Sequence, residues 1–305
     1  MDSVLAQEQV RSYWNSQPCD SELSARERMT REFYLDVERQ RYALQPHIPE
    51  LLSRIDWRGK RVLEVGAGVG TDARNIIQRG ASYTGINVDR GSTEATAQAL
   101  RVFSLQGVTL ERNATALDFP GDMFDIVYSF GVIQHIPEAR KAVAEIHRVL
   151  KPGGEVLVML YNRSSINYAV EIMFLRKLGL RLLGLPGAIA LLELFGLPGE
   201  KLRRHRQIYK ERGPMSDAEW LSRNTNGPDY PYCRVYGEAE AADLFSAFQI
   251  ESNEVHFFDH RHWGVLGRLM PKKLRTALGR RWGWHRIVHA RKPASGAVPA
   301  DGSQE

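Results

Sequence analysis

At 305 residues, with 43% hydrophobic and 25% charged side chains, the chain is long enough for one large α/β domain with an insertion, or for two small domains. Cys19 and Cys233 are its only cysteines, which excludes a cysteine-rich zinc site and requires no oxidising compartment. The net charge is +5, and the first residues lack a basic stretch leading into an apolar run, so a cytoplasmic protein is expected.

Residues 3–15 pattern as a short helix capped by Ser3, with Val10, Tyr13 and Trp14 on one face, read here as core packing. A longer helix is expected over about 25–45, with Phe33, Val37 and Tyr42 among its apolar positions and Pro46 as its stop. Both precede the first strand and make an N-terminal cap over residues 1–57. From Arg61, strand and helix patterns alternate. Val62 to Val65 reads as a short buried strand in spite of Glu64. Gly66, Ala67, Gly68 and Gly70 then form a tight turn whose backbone can approach a ligand, and Thr71 caps the helix that follows to Gln78. Further strands are expected over 82–87, 108–112, 124–130 and 155–161. Helices are expected over 92–105, capped by Ser92, and over 138–150, ended by Pro152-Gly153-Gly154. Repeated strand–helix units with short connections give a parallel sheet with right-handed crossovers.

Between Tyr161 and Phe248 the strand pattern is absent. Residues 178–197 are rich in leucine and glycine but interrupted by Arg181, Pro186 and Glu193, too broken for a membrane span and open to an interfacial segment or an apolar lid. Lys201 to Arg206 is a basic patch, and Asn224 to Tyr236 is a loop dense in aromatic and polar side chains. Strands return over 249–258 and 284–290, the second after a helical pattern at 274–281, and lacking a long crossover they form an antiparallel pair at the sheet edge. From His260 to Ala300 there are ten basic residues and no acid, so 31 of the 41 basic residues remain elsewhere against 36 acids. Such a segment suits nucleic acid, an anionic membrane or an acidic partner; a solvated basic helix and loop is the simpler reading, adopted here. Residues 293–305 have the composition of a disordered tail.

A glycine turn after a first strand suits two kinds of cofactor. A dinucleotide fingerprint spaces its glycines G-x-G-x-x-G, admitting a pyrophosphate to the helix N-terminus. Here the spacing is Gly66-x-Gly68-x-Gly70, and Thr71 stands where the last glycine would fall. Glu64, two residues before the turn, suits a ligand carrying positive charge and sits poorly beside a pyrophosphate. S-adenosylmethionine has an ammonium and a sulfonium and no phosphate.

The run Val62-Leu-Glu-Val-Gly-Ala-Gly-Val-Gly-Thr71 resembles the first motif of the class I S-adenosylmethionine-dependent methyltransferases. Asp122-Met-Phe-Asp-Ile-Val-Tyr-Ser-Phe-Gly-Val-Ile-Gln-His-Ile-Pro137 resembles the fourth-strand motif of their small-molecule, "type 11" branch, and His147-Arg-Val-Leu-Lys-Pro-Gly-Gly154 its turn into the fifth strand. The resemblance covers residues 58–161 and, more loosely, Gly283 to Pro293. It implies an α/β, Rossmann-like, mostly parallel seven-stranded sheet with an antiparallel edge strand and helices on both faces. The N-terminal helical cap precedes a cofactor-binding core at 58–161. A helical insertion at 162–247, between strands 5 and 6, would be the substrate cap, and 248–292 would complete the sheet.

Carried over residue by residue, the resemblance places the methionine part of S-adenosylmethionine against Glu64, Gly66, Ala67 and Gly68, with Thr71 and Asp72 opening the next helix. Asn87, beside Val88, would hold the ribose, and Asn113, Ala114 and Thr115 the adenine. Ser129, Phe130 and Gly131 would line the cofactor beside the substrate. The family usually has an acid at the ribose position and often another at the adenine position, where this chain has Asn87 and Asn113. An amide accepts only through its oxygen, so weaker ribose binding is expected unless Asp89 compensates. Methyl transfer needs alignment more than acid–base machinery, but a hydroxyl acceptor benefits from a base, and His135 is the candidate. Tyr161, Asn162, Asn224, Tyr230, Arg234 and Tyr236 are candidates for binding a small or medium-sized acceptor, for which the apolar 178–197 region suggests a hydrophobic body. His256, His260 and His262 share one face of an extended chain, but Arg261 sits among them with no further ligand cluster, so no metal is expected. Two rivals remain at this stage: an NAD(P)-dependent oxidoreductase, suggested by Arg90 following Asn87, and a non-catalytic cofactor-binding or scaffold protein using the basic C-terminal segment.

Overall fold

The computed structural model describes residues 3–194, 199–263, 267 and 269–294. Near-continuous burial along the inner strands marks a sheet covered on both faces, with seven strands in the order β3-β2-β1-β4-β5-β7-β6. The strands are β1 (Arg61–Val65), β2 (Ser82–Asn87), β3 (Val108–Glu111), β4 (Phe124–Phe130), β5 (Leu150–Tyr161), β6 (Gln249–His256) and β7 (His285–Arg291). The first five are mutually parallel; β7 runs antiparallel to both neighbours and lies between β5 and the edge strand β6. The expected antiparallel pair therefore closes this edge.

Residues one apart on a strand go to opposite faces of the sheet, and each face has its own core. Leu63, Val65, Val127, Val156 and Val158 pack with Val143 and Ile146 of one helix and with Ala241 and Leu244 of another. Val62, Tyr83, Ile126 and Leu157 pack on the other side with Ile48, Leu52, Trp57 and Ile76. The helices concerned are α3 (His47–Arg54), α4 (Thr71–Gln78), α5 (Arg90–Val102), α6 (Ala139–Val149) and α11 (Glu238–Leu244). Ahead of them, α1 (Ser3–Ser16) packs on α5, and α2 (Arg31–Leu44) on α3, α4 and α5.

Several boundaries differ from the sequence expectation for local reasons. The second helix starts at Arg31 because the Thr30 hydroxyl accepts the Phe33 amide at 3.2 Å, closing the first turn there. Pro46 ends α2 but opens α3, since a helix's first turn needs no intrahelical donor, and the same freedom accommodates Pro49. Asp89, rather than Ser92, caps α5, its carboxylate accepting the Ser92 amide at 2.7 Å. Thr71 is the first residue of α4, and Gly70, in the left-handed region, precedes it.

After β5 the chain leaves the sheet for a π-helix (Asn167–Leu175), then α7 (Arg176–Leu182), α8 (Ala188–Leu194), α9 (Gly199–Arg212) and α10 (Asp217–Arg223). A separate small core holds this insertion to the sheet, with Ile172, Trp220, Leu221, Tyr230, Cys233 and Val235 packed against Trp284 and the rings of Tyr13 and Trp14. The chain rejoins the main core at Tyr236, so 236–247, grouped with the insertion on sequence grounds, packs with α6 instead. Helix α12 (Lys272–Trp282) covers β6. The tail expected at 293–305 lies, from residue 295 on, outside the described residues.

Candidate active site

Strand β1 delivers the chain into a turn where Gly66, Gly68 and Gly70 have φ of 80°, 58° and 79°, a conformation that costs other residues dearly. Space makes the same demand at Gly66, where a Cβ would lie 2.2 Å from Val132 Cγ2. The Gly66 amide is fixed to the Ile86 carbonyl at 2.8 Å, and the Gly68 amide to Asn87 Oδ1 at 2.9 Å. Beside this turn, at the carboxyl ends of β1, β2 and β4, opens a cleft lined by all three strand ends and by α1 and α2. The order of the strands reverses on either side of β1, and ligands of open α/β sheets bind at such a switch point.

Charge in the cleft is organised by two buried carboxylates. Glu64 accepts the Tyr83 hydroxyl at 2.6 Å, and Tyr83 can reach it because Gly85 leaves the intervening strand position empty, where a Cβ would meet Tyr83 Oη at 2.3 Å. Burial, and then the charge of Asp72, push the Glu64 carboxyl up to about 8. Asp72 is held by three donors from two other elements: the Arg41 guanidinium at 2.8 Å and the Tyr42 hydroxyl at 2.9 Å from α2, and the Tyr128 hydroxyl at 2.9 Å from β4. Arg41 also takes Asp20 at 2.5 Å and stands 5.6 Å over the Phe130 ring. One cation thus ties the loop after α1 and helix α2 to the start of α4, while lining the cleft.

His135 closes a 3-10 turn after β4. Its Nδ1 lies 3.4 Å from the Tyr232 carbonyl and its Nε2 3.3 Å from the Asn226 amide nitrogen, so Nδ1 donates and Nε2 accepts. The rings of Tyr230 and Tyr161 meet it edge-on at 5.0 and 5.4 Å, and Trp14 approaches to 6.1 Å. Burial lowers its pKa to about 4, leaving a neutral imidazole on the cleft wall.

The residues expected around a cofactor divide into two sets. Glu64, Gly66, Ala67, Gly68, Asp72, Asn87, Val88, Asn113, Ala114, Phe130 and Gly131 all line the cleft. Thr71, Thr115 and Ser129 do not. Thr71 has a buried hydroxyl with no protein partner, Thr115 bonds Asn113 Oδ1 at 2.9 Å, and Ser129 supports β1 by donating to the Val65 carbonyl. The Asn87 amide is engaged within the protein, accepting from Gly68 and donating to Thr96 Oγ1 at 3.3 Å. Asp89 lines the same wall.

The acceptor candidates fare less evenly. Tyr161 and Tyr230 adjoin the cleft through His135, and Tyr230 also accepts the Trp14 indole N–H at 3.2 Å. Asn162 and Asn224 are buried and occupied elsewhere, Asn162 with the Gly283 carbonyl and Arg286, Asn224 with the Trp220 carbonyl at the end of α10. Arg234 and Tyr236 stack on each other beside a separate surface hollow shared with Pro137 and Glu240. Loop composition cannot distinguish a side chain that caps a helix from one that faces a ligand. Conversely, Arg41 and Trp14 line the cleft although sequence reading gave the first no role and the second a core role.

Residues 63–158 match the model of a methyltransferase domain family. Among curated proteins, the ubiquinone biosynthesis O-methyltransferase of Pseudomonas aeruginosa (strain LESB58) is 32% identical over 132 residues, 39% of this chain and 55% of that protein. Its counterpart in Pseudomonas syringae pv. tomato is 34% identical over 124 residues, 39% of this chain and 52% of that protein. The chain spans about half the length of the curated relatives it matches. Among solved structures, magnesium protoporphyrin IX methyltransferase from Synechocystis PCC 6803, with S-adenosylhomocysteine bound, superposes with a TM-score of 0.54 at 15% identity, over 94% of this chain and 99% of that one. The cyclase SpnF superposes with a TM-score of 0.53 at 16% identity, over 96% and 97%. These two likenesses establish the fold, and one of the two proteins is described by a reaction other than methyl transfer.

Proposed function

Because residues 63–158 are a class I methyltransferase domain, we propose that the protein transfers a methyl group from S-adenosylmethionine to a small or medium-sized, hydrophobic acceptor. The observation that carries the reading is the pairing of Glu64 and Arg41 across one cleft beside the glycine turn. The methionine end of the cofactor is a zwitterion, and the site offers a carboxylate for its ammonium and a guanidinium for its carboxylate. Gly66 and Gly68 leave the backbone bare where the ligand passes, and Ile86, Val88 and Ala114 give an apolar wall for a purine. These residues fit the cofactor. The ribose position fits less directly, since Asn87 already serves Gly68 and Thr96, and we assign the ribose hydroxyls to the Asp89 side of that wall.

When bound, the cofactor supplies a methyl group on a sulfonium, transferred by in-line displacement. The protein's part is to align the acceptor and exclude water. Trp14, Phe130, His135, Ile136 and Pro137 give the cleft aromatic and apolar lining, which suits an acceptor with an apolar body. For a hydroxyl acceptor, His135 Nε2 takes the proton in place of the Asn226 amide. A pKa near 4 makes it a weak base at neutral pH, so alignment carries more of the rate than proton abstraction.

The oxidoreductase alternative is disfavoured. Arg90, which would have read a 2′-phosphate, points to Glu94 in solvent and does not line the cleft. The scaffold alternative loses much of its basic surface, because Arg261, Arg291 and Lys292 pair with carboxylates and Arg286 is buried. Calorimetry with S-adenosylhomocysteine and, separately, NADP tests the cofactor. Binding of NADP alone overturns the proposal. Labelled S-adenosylmethionine with a cell extract then identifies the acceptor, and no labelled product from any extract counts against catalysis.

A further inference from the structure

The insertion carries an apolar surface that the rest of the molecule does not cover. Phe174, Leu175, Leu178, Leu185, Leu191 and Leu194 are exposed by 61, 43, 46, 58, 56 and 84%, all within 21 consecutive residues. Helix α8 is apolar in sequence yet buries no residue at all. Single exposed leucines are ordinary, but such a concentration marks a contact surface.

The same stretch is strongly basic. From Phe174 to Arg212 there are nine Lys and Arg residues against three Glu, whereas the whole chain nets +5. Helix α9, which packs on α8, supplies six of them. Lys177, Arg203, Arg204 and Arg212 pair with Asp217, Glu193, Asp229 and Glu219. Arg181, Lys201 and Lys210 are exposed and take no carboxylate in an ion pair among the described residues.

We propose that α7–α9 is a docking surface for an anionic lipid bilayer, with Leu178, Leu191 and Leu194 entering the interface and the basic side chains meeting lipid headgroups. Short amphipathic helices with a basic flank bind bilayers in this manner, lying in the interface plane. No described helix is long and apolar enough to cross a membrane, and α7 and α8 have seven residues each, so the contact is superficial. A second copy of the chain fits less well, because a two-fold contact through this patch would set the same excess of positive charge against itself. A bilayer with acidic headgroups supplies the opposite charge. This inference concerns a surface outside the cleft and does not rest on the proposed reaction.

The test is flotation of the full-length protein with vesicles, read without any activity assay. Vesicles of phosphatidylcholine with about a third phosphatidylglycerol are compared with phosphatidylcholine alone, at low and high salt. The protein is expected to float with the anionic vesicles and to release at high salt, and the double variant Leu191→Glu/Leu194→Glu to bind at least about tenfold more weakly. Both positions are exposed, and an unchanged thermal midpoint shows that the variant is folded. Wild-type protein left in solution with anionic vesicles overturns the proposal, as does a double variant that floats equally well. Light scattering supplies a further overturning result, a dimer that the same variant dissociates while wild type ignores vesicles.

Discussion

The glycine-turn cradle and the α7–α9 insertion are built on opposite principles. Around the cradle, charge is buried and answered: Glu64 by Tyr83, Asp72 by Arg41, Tyr42 and Tyr128. In the insertion, charge is exposed and apolar side chains lie in solvent. A buried polar network has few alternative arrangements, since each member left unpaired costs desolvation energy, so the cradle is rigid and intolerant of change. The insertion has little to lose by substitution and much surface to offer, which is where a protein places its contacts with the outside.

The contrast can be broken by substitution, and Gly66→Val strikes it hardest. The new side chain combines a forbidden φ with a collision against Val132, and S-adenosylhomocysteine binding by calorimetry is expected to fall more than about a hundredfold. Arg41→Met comes next, leaving Asp20 and Asp72 without their shared cation. Urea denaturation should show a loss of about 3–5 kcal/mol, and cofactor affinity should drop as well. His135→Asn should lower turnover of a hydroxyl acceptor about a hundredfold, while calorimetry shows cofactor affinity unchanged. In the wild type, a rate–pH profile should show no inflection from His135 above about pH 5, because the imidazole is already neutral there.

Glu64 gives a smaller effect with a diagnostic sign. Its carboxyl titrates near 8 in the ligand-free protein, so below that pH a cationic ligand must expel its proton. Affinity for S-adenosylhomocysteine should therefore rise with pH, by up to about tenfold per unit, and level off above about 8. Glu64→Gln should flatten that profile in calorimetry. Stability of the ligand-free protein runs the other way. Native Glu64 holds its proton more tightly than the unfolded chain does, so stability declines as pH rises from the ordinary carboxylate range to about 8. Smallest of all is the effect of Leu191→Glu/Leu194→Glu on stability, expected within about 0.5 kcal/mol by urea titration because both side chains already face water.

How much of this was legible in the sequence follows the same division. The cradle was, because its requirements are local: a strand, glycines at positive φ and a helix start are consecutive residues. Eleven of the fourteen positions expected around a cofactor line the cleft. Local reading overstated Asn87, whose side chain serves the turn rather than standing free beside it. It also misjudged the insertion loop, where Asn162 and Asn224 have the composition of ligand-binding residues and the contacts of structural ones.

The sequence by itself determined the alternation of strands and helices, the parallel sheet with its antiparallel closing pair, and the turn at the end of β1. Each is written in periodicity and spacing over a few residues, where backbone geometry leaves few choices. Only the tertiary structure decided what surrounds that turn. Arg41 reaches Asp72 across 31 positions, Trp14 reaches Tyr230 across 216, and His47 meets His285 at 3.0 Å across 238. Such pairings depend on how whole elements pack, and no local pattern specifies them.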